Sequence, residues 1–288
     1  DRIKQIDSRQ VQEFFLVCFS NLIKKVSYAD PRVSVPVRLN PNRFKEGSPN
    51  YKKVERRLSE LDSLDIYLKF EAICRENISR FESLQNENRM STHSEVISKD
   101  ARHITISLDS NTKMPNESVD LIITSPPYAG AQKYIRSSSL NLGWLGLVGS
   151  SQLRDYDKLN IGRENYSKLE KNIKLTHIKN CDLLIEEVSK INLSRAQIIS
   201  NYIIEMKQAI DENIRLLKPD GHFILIVGNN KVCNLEFNTQ EYLCEYIKTK
   251  GLNLILKLID DIKSYGLMTK RNKTADIISR EYILVFKK

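Results

Sequence analysis

From His103 to the last residue, short β-branched runs alternate with long helical stretches and turn residues, and this alternation restricts the fold more than any other feature of the 288-residue chain. Strands that rejoin one sheet through helices make an open, largely parallel α/β sheet. The pattern predicts strands over 103–108, 119–124, 222–227, 252–259 and 281–286, with helices over 194–217 and 239–250. Lys218-Pro219-Asp220-Gly221 reads as the turn from the first of these helices into its strand. Asn238 with Glu241 three residues on resembles a capping box, and Gly251 supplies a left-handed stop.

The first hundred residues have a different texture. A helix started by Ser8 sets Val11, Phe15, Cys18 and Leu22 at helical spacing, and a second runs over 54–86. Between them Pro31, Pro36, Pro41 and Pro49 interrupt helix formation, while Arg32, Arg38, Arg43, Lys45, Lys52 and Lys53 make the stretch basic. The expected organisation is therefore a helical, basic region over 1–100 and an α/β domain over 101–288, the latter carrying a charged insertion at 151–181. Lys and Arg outnumber Asp and Glu by 45 to 36, and the formal charge of +9 favours a polyanionic partner. An apolar fraction of 41% excludes disorder throughout. The apolar runs 14–19 and 223–227 fall far short of the roughly 20 residues that cross a bilayer, so no membrane span is expected. Five scattered cysteines without a Cys-x-x-Cys pair argue against a zinc site or a disulfide framework and fit a cytoplasmic protein. The four histidines lack ligand spacing, so no metal is expected. Asp1 in place of an initiator Met reads as a processed or partial chain.

The chemistry is concentrated in Asp120-Leu-Ile-Ile-Thr-Ser125-Pro-Pro-Tyr128. A buried strand delivers Ser125 and two prolines to the carboxyl edge of a sheet, where open α/β folds bind ligands. An exocyclic amino group on a nucleobase is a poor nucleophile because its lone pair is delocalised into the ring. Two acceptors aimed at its N–H bonds draw the nitrogen toward tetrahedral geometry and free the lone pair. The Ser125 hydroxyl and the Pro126 carbonyl can be those acceptors; Pro126 and Pro127 fix the backbone that carries them, and Tyr128 offers an aromatic face to a base turned out of the duplex. A C5-cytosine mechanism needs a nucleophilic cysteine, placed after proline in that family, and no cysteine here follows a proline.

This run resembles the catalytic loop of the amino-methylating DNA methyltransferases, which reads Ser, Asp or Asn, then Pro-Pro, then Tyr, Phe or Trp. The resemblance implies a Rossmann-like methyltransferase sheet with an amino-terminal helical region. It implies methyl transfer from S-adenosylmethionine to the N4 amino group of cytosine in double-stranded DNA, within a restriction-modification or related system. Ser125 leans toward cytosine, and N6-adenine stays as the near alternative. On the same resemblance Asp109, Thr124, Gly228 and Asn229 fall at cofactor-binding positions. Lys133, Tyr134 and Arg136, in a stretch over 129–146 that also holds Gln132 and Trp144, fall in the loop that shapes the nucleotide pocket. Lys270 and Arg271 join them as substrate-binding candidates, and the basic segments 32–57 and 263–280 as candidate phosphate contacts.

One family feature is missing. Enzymes of this kind carry a Gly-x-Gly loop after the first strand, where only glycine lets the backbone approach the ligand closely, and none of the ten glycines forms one. Residues 224–230 imitate such a strand and loop, but their place after a long helix and Lys-Pro-Asp-Gly fits the fifth strand better. The expected sheet is therefore incomplete, with the glycine loop on a second subunit or a missing amino-terminal segment. A non-catalytic, methyltransferase-like DNA-binding subunit is a second reading. Methylation of RNA or protein is a third, against which Ser125 argues mildly.

Overall fold

A computed structural model of the chain describes residues 2–86, 93–129, 133–149, 151–164, 166, 172–262 and 278–288. The chain divides into two compact units, one formed by 1–94 with 134–155 and the other by 95–133 with 156–288.

The first unit is helical. Helix α1 (Arg9–Val26) begins where the Ser8 hydroxyl accepts from the Val11 N–H, as its sequence indicates. Expected as one helix, 54–86 is divided into α2 (Pro49–Asp62) and α3 (Ile66–Asn86). The cause is Asp65, whose carboxylate accepts from the Tyr67 and Leu68 N–H groups and starts a new helix. Cys18 and Leu22 of α1 pack with Ile73 and Cys74 of α3, flanked by Phe14, Phe15, Phe19 and Phe70. A further helix, α4 (Tyr134–Trp144), was not expected; its Asn141 donates to the Ser20 hydroxyl at 2.6 Å. The proline-rich loop is ordered: Arg32 pairs with Asp30 at 2.6 Å and Arg38 lies over the Tyr28 ring.

The second unit is an α/β layer structure. After the short α5 (Leu153–Leu159), where the chain passes from one unit to the other, come α6 (Lys179–Ile191) and α7 (Leu193–Leu216). Strands β1 (Val119–Thr124), β2 (Leu217–Gly228), β5 (Asn253–Asp261) and β6 (Arg280–Lys287) form a sheet in the order β1-β2-β6-β5, and β3 (Asn230–Val232) pairs with β4 (Leu235–Phe237) ahead of helix α8 (Thr239–Thr249). β1 is parallel to β2, and β6 is antiparallel to both β2 and β5. One sheet face presents Phe223, Leu225, Val227, Leu284 and Phe286 to the helices, and all five are buried with Tyr202 and Ile203 of α7.

Three expectations change. The predicted strand over 103–108 is instead a loop fastened to α7: the Glu212 carboxylate accepts from the Ile104 N–H, and the Arg215 guanidinium donates to the Met114 carbonyl. Lys218–Gly221 is no free turn but a four-residue bulge inside β2, because Val119 pairs with Leu217 while Leu121 pairs with His222. Asp220 there takes a left-handed φ of 62°, which Asp tolerates. Asn238 caps α8 without a side-chain cap bond. A helix the sequence reading missed, α6, begins where the insertion ends, and its buried Cys181, Ile185 and Val188 recur at helical spacing.

On the other sheet face Leu121, Ile123, Ile224, Ile226, Val285, Ile283, Leu256 and Leu258 stand in register. Leu121, Ile123, Leu256 and Leu258 on the two outer strands are about half exposed, and β1 pairs on one edge only among the described residues. No helix among the described residues is long and apolar enough to cross a membrane.

The loop's attachment gives a test. Arg215 beside Glu212 holds the Glu212 carboxyl below the usual carboxylate range. A depressed folded-state pKa contributes stability above the unfolded value of about 4.3 and loses it as pH falls through the folded one. Glu212→Gln is expected to lower unfolding free energy by about 2 kcal/mol near neutral pH. Urea titrations should show that difference shrinking in acid.

Candidate active site

β1 and β2 are parallel, so their carboxyl ends reach one edge of the sheet, with Thr124 opposite Leu225 and β2 continuing to Gly228. Beyond Thr124 the chain leaves as Ser125, exposed, then Pro126, buried, then Pro127 and Tyr128, both half-buried, then Ala129, buried. Ser125 is thus accessible to solvent while the proline after it is anchored in the protein.

Tyr128 is held from three directions. Its hydroxyl hydrogen-bonds the Glu281 carboxylate at the start of β6. Its ring lies against Gly228, where an added Cβ would stand 3.1 Å from Tyr128 Cε1 and 2.7 Å from Ile278 Cγ2. Its carbonyl lies against Gly162, where a Cβ would stand 2.8 Å from the oxygen, and Gly162 has a φ of 78° that favours glycine. One residue on, the Asn230 amide donates to the Ala129 carbonyl at 3.2 Å.

The loop that brings Gly162 to Tyr128 is fastened by a buried cation. Arg163 donates to Glu205 of α7 at 2.6 Å and to the Asn160 carbonyl at 3.1 Å, and its guanidinium lies 4.3 Å from the centre of the Tyr166 ring. Arg102 reaches the same Glu205 at 3.8 Å and donates to the Leu159 carbonyl. Burial of an ion pair is costly, and the Asn160 carbonyl and the Tyr166 ring offset part of that cost here.

The other expected site residues are distributed more widely. Asp109 lies exposed on a turn closed by the Ser110 N–H to the Ser107 carbonyl. The Asn229 amide donates to Asn238 and its oxygen accepts from the Gln240 N–H, so its side chain serves the start of α8. Lys133 pairs with Glu164 at 3.5 Å. Tyr134 and Arg136 open α4, in the helical unit. Lys270, Arg271 and Gln132 lie outside the described residues. Glu281, Gly162 and Asn230 were missed. Gly162, a lone glycine in a polar insertion, and Glu281, an acid opening an apolar strand, were the available signals.

The cysteines offer no nucleophile at this corner. Burial pushes the Cys181 thiol up to about 12 and, with a hydrogen bond from its own S–H to Cys18, the Cys74 thiol up to about 11. No group of three His, Cys, Asp or Glu among the described residues could hold a metal ion.

A mixed α/β sheet thus ends a parallel strand in an exposed serine followed by a clamped Pro-Pro-Tyr. The DNA methylase family model for N6 and N4 amino-methyltransferases matches residues 119–288, from the first residue of β1 to the last of the chain. The chain belongs to that family. The type II methyltransferase M.MvaI of Kocuria varians is 21% identical over 307 residues, which cover 99% of this chain and 62% of the relative. The chain thus spans less than two thirds of that relative's length. TTHA0409 of Thermus thermophilus, named as a DNA modification methylase, is 20% identical with a TM-score of 0.33, covering 68% of this chain and 54% of that one. Its S-adenosylmethionine complex gives 19%, 0.29, 61% and 49% in the same order. The family assignment rests on the family match.

Gly162→Ala combines a left-handed φ with a clash against backbone. It is expected to cost about 2 kcal/mol in urea unfolding. Amide exchange over 125–129 should quicken with it; unchanged exchange there would disprove the contact.

Proposed function

We propose that the chain carries the catalytic loop of a DNA amino-methyltransferase that acts on the N4 amino group of cytosine in double-stranded DNA. The observation that carries this reading is the corner itself: Ser125 exposed at the carboxyl end of β1, Pro126 buried behind it and Tyr128 fixed beside it. The Ser125 hydroxyl oxygen and the Pro126 carbonyl accept from the two amino N–H bonds, so the nitrogen lone pair localises and becomes nucleophilic. The Tyr128 face takes the base once it has left the stack. Ser125 in place of Asp supports cytosine; N6 of adenine is the alternative within the same family. The five free cysteines fit the reducing cytoplasm in which such a modification system works.

S-adenosylmethionine supplies the methyl group. The described residues do not form a complete cradle for it. The space over Gly228 is filled by Tyr128 and Ile278, the Asn229 side chain is committed to α8, and Asp109 is exposed on its turn. Thr124, at the end of β1, is the remaining candidate on this chain. A glycine-loop segment, on a second subunit or on further chain, completes the cofactor site in this reading. Support comes from the outer edge of β1, unpaired among the described residues, and from the half-exposed Leu121 and Ile123. A non-catalytic DNA-binding subunit is the second reading, favoured by the missing Gly-x-Gly.

Methyl transfer to duplex DNA, with and without a candidate partner and followed by nucleoside analysis, decides between these readings. N4-methylcytosine is the expected product, and Ser125→Ala should slow transfer about 100-fold or more. N6-methyladenine would reassign the base, and activity untouched by Ser125→Ala would remove the mechanism. The isolated chain is also expected to bind S-adenosylmethionine weakly or not at all in calorimetry; tight stoichiometric binding would refute the divided cofactor site.

A further inference from the structure

Charge in this chain is concentrated rather than spread. Residues 24–57 hold ten Lys and Arg against three Asp and Glu, so this short stretch carries most of the formal charge of +9. In the helical unit the fold gathers part of it around a groove of about 540 Å³. Asn21, Lys24 and Lys25 enter from the last turns of α1, Arg57 from α2, and Lys69 from α3, with Pro31 and Leu64 completing the walls. No carboxylate is among the lining residues.

Two of the four cations have structural work. Lys24 donates to the Val33 carbonyl at 2.8 Å, and Arg57 donates to the Lys25 carbonyl at 2.5 Å and to Glu60 at 3.2 Å. These bonds fix the walls; the charge of Lys24 stays uncompensated by them, while Glu60 offsets part of that of Arg57. Lysines in the last turn of α1 also offset that helix's dipole, which accounts for their position on α1 but not for Lys69 approaching from α3. Lys25 and Lys69 are exposed on the groove and make no ion pair or side-chain hydrogen bond among the described contacts.

We propose that this groove binds the phosphate backbone of duplex DNA, with Lys25 and Lys69 as the contacting cations, Lys24 and Arg57 setting the local field, and the Asn21 amide as a further donor. The inference rests on the DNA-directed reading above and adds where the helical unit meets its ligand. Phosphate contacts of this kind position a protein on DNA without reading sequence. A phosphate-binding role also explains why the groove walls are basic and apolar rather than mixed in charge, since a carboxylate there would repel the ligand.

The test is fluorescence anisotropy of the full chain with two unrelated 24-base-pair duplexes over a range of salt. Lys25→Gln with Lys69→Gln is expected to reduce the slope of log affinity against log salt by about 1.8, that is about 0.9 for each phosphate no longer neutralised, equally on both sequences. Lys25→Arg with Lys69→Arg should keep the slope. A control that removes the same charge from the sheet unit, Lys179→Gln with Lys248→Gln, should leave it unchanged. An unaltered slope in the Gln pair, an equal loss in the control, or no duplex binding by the wild type would each overturn the groove. Ser125→Ala separates the two claims, because it should slow methyl transfer about 100-fold or more while leaving the salt slope as it was. A slope that responds to the groove in a protein that methylates nothing even with the candidate partner present would uphold this proposal and refute the catalytic one.

Discussion

Parallel pairing of β1 with β2 is the constraint on which the site depends. Because the two strands run the same way, the chain leaves β1 at Ser125 next to the point where it leaves β2 at Gly228. Tyr128 can then lie on the one residue of β2 that has no side chain at that end of the strand. β6 enters antiparallel on the far side of β2, which sets Glu281 opposite Gly228 and within reach of the Tyr128 hydroxyl. Had β6 been parallel, its amino-terminal acid would lie at the other end of the sheet. The mixed topology is therefore part of how the aromatic ring is fixed.

The charged insertion contributes in the same way. Its Arg163 is almost fully buried, and a buried guanidinium without partners would be very costly. Glu205, the Asn160 carbonyl and the Tyr166 ring offset that cost, and the arrangement in turn holds Gly162 against the Tyr128 carbonyl. A segment that looks polar and peripheral thus acts on the backbone of the Ser125–Tyr128 corner. α7 links these parts, since it supplies Glu205 to the insertion, Glu212 to the 103–118 loop and Tyr202 to the core beneath Gly162.

The sheet is well covered on one face and half exposed on the other. Phe223, Leu225 and Phe286 are buried under the helices, while the outer strands leave aliphatic side chains at the opposite surface. In physical terms the unit has one finished hydrophobic layer and one that a further element can finish. The finished layer is the one that supports the corner, so the geometry of Ser125 to Tyr128 does not require the second. A complete cofactor site does, in the reading proposed here.

Sequence alone determined the elements whose signal is local. β1, β2, β5, β6, α1, α7 and α8 follow from periodicity, caps and breakers, and the Ser-Pro-Pro-Tyr corner follows from a β-branched run stopped by two prolines. It missed what local signal underdetermines. Asp65 broke a helix whose apolar stripe ran on, α6 was hidden in a charged stretch, and residues 103–108 have strand composition but spend their backbone groups on Glu212 and a closed loop. Only the tertiary structure decided which groups surround the corner. Gly162, Gly228, Asn230 and Glu281 come from an insertion, the end of β2, the start of β3 and the last strand, all distant from Tyr128 in the chain, and a contact between such positions leaves no periodic trace. Their residue types were visible in the sequence; what glycine or glutamate was needed for became definite once the sheet brought Tyr128 against them.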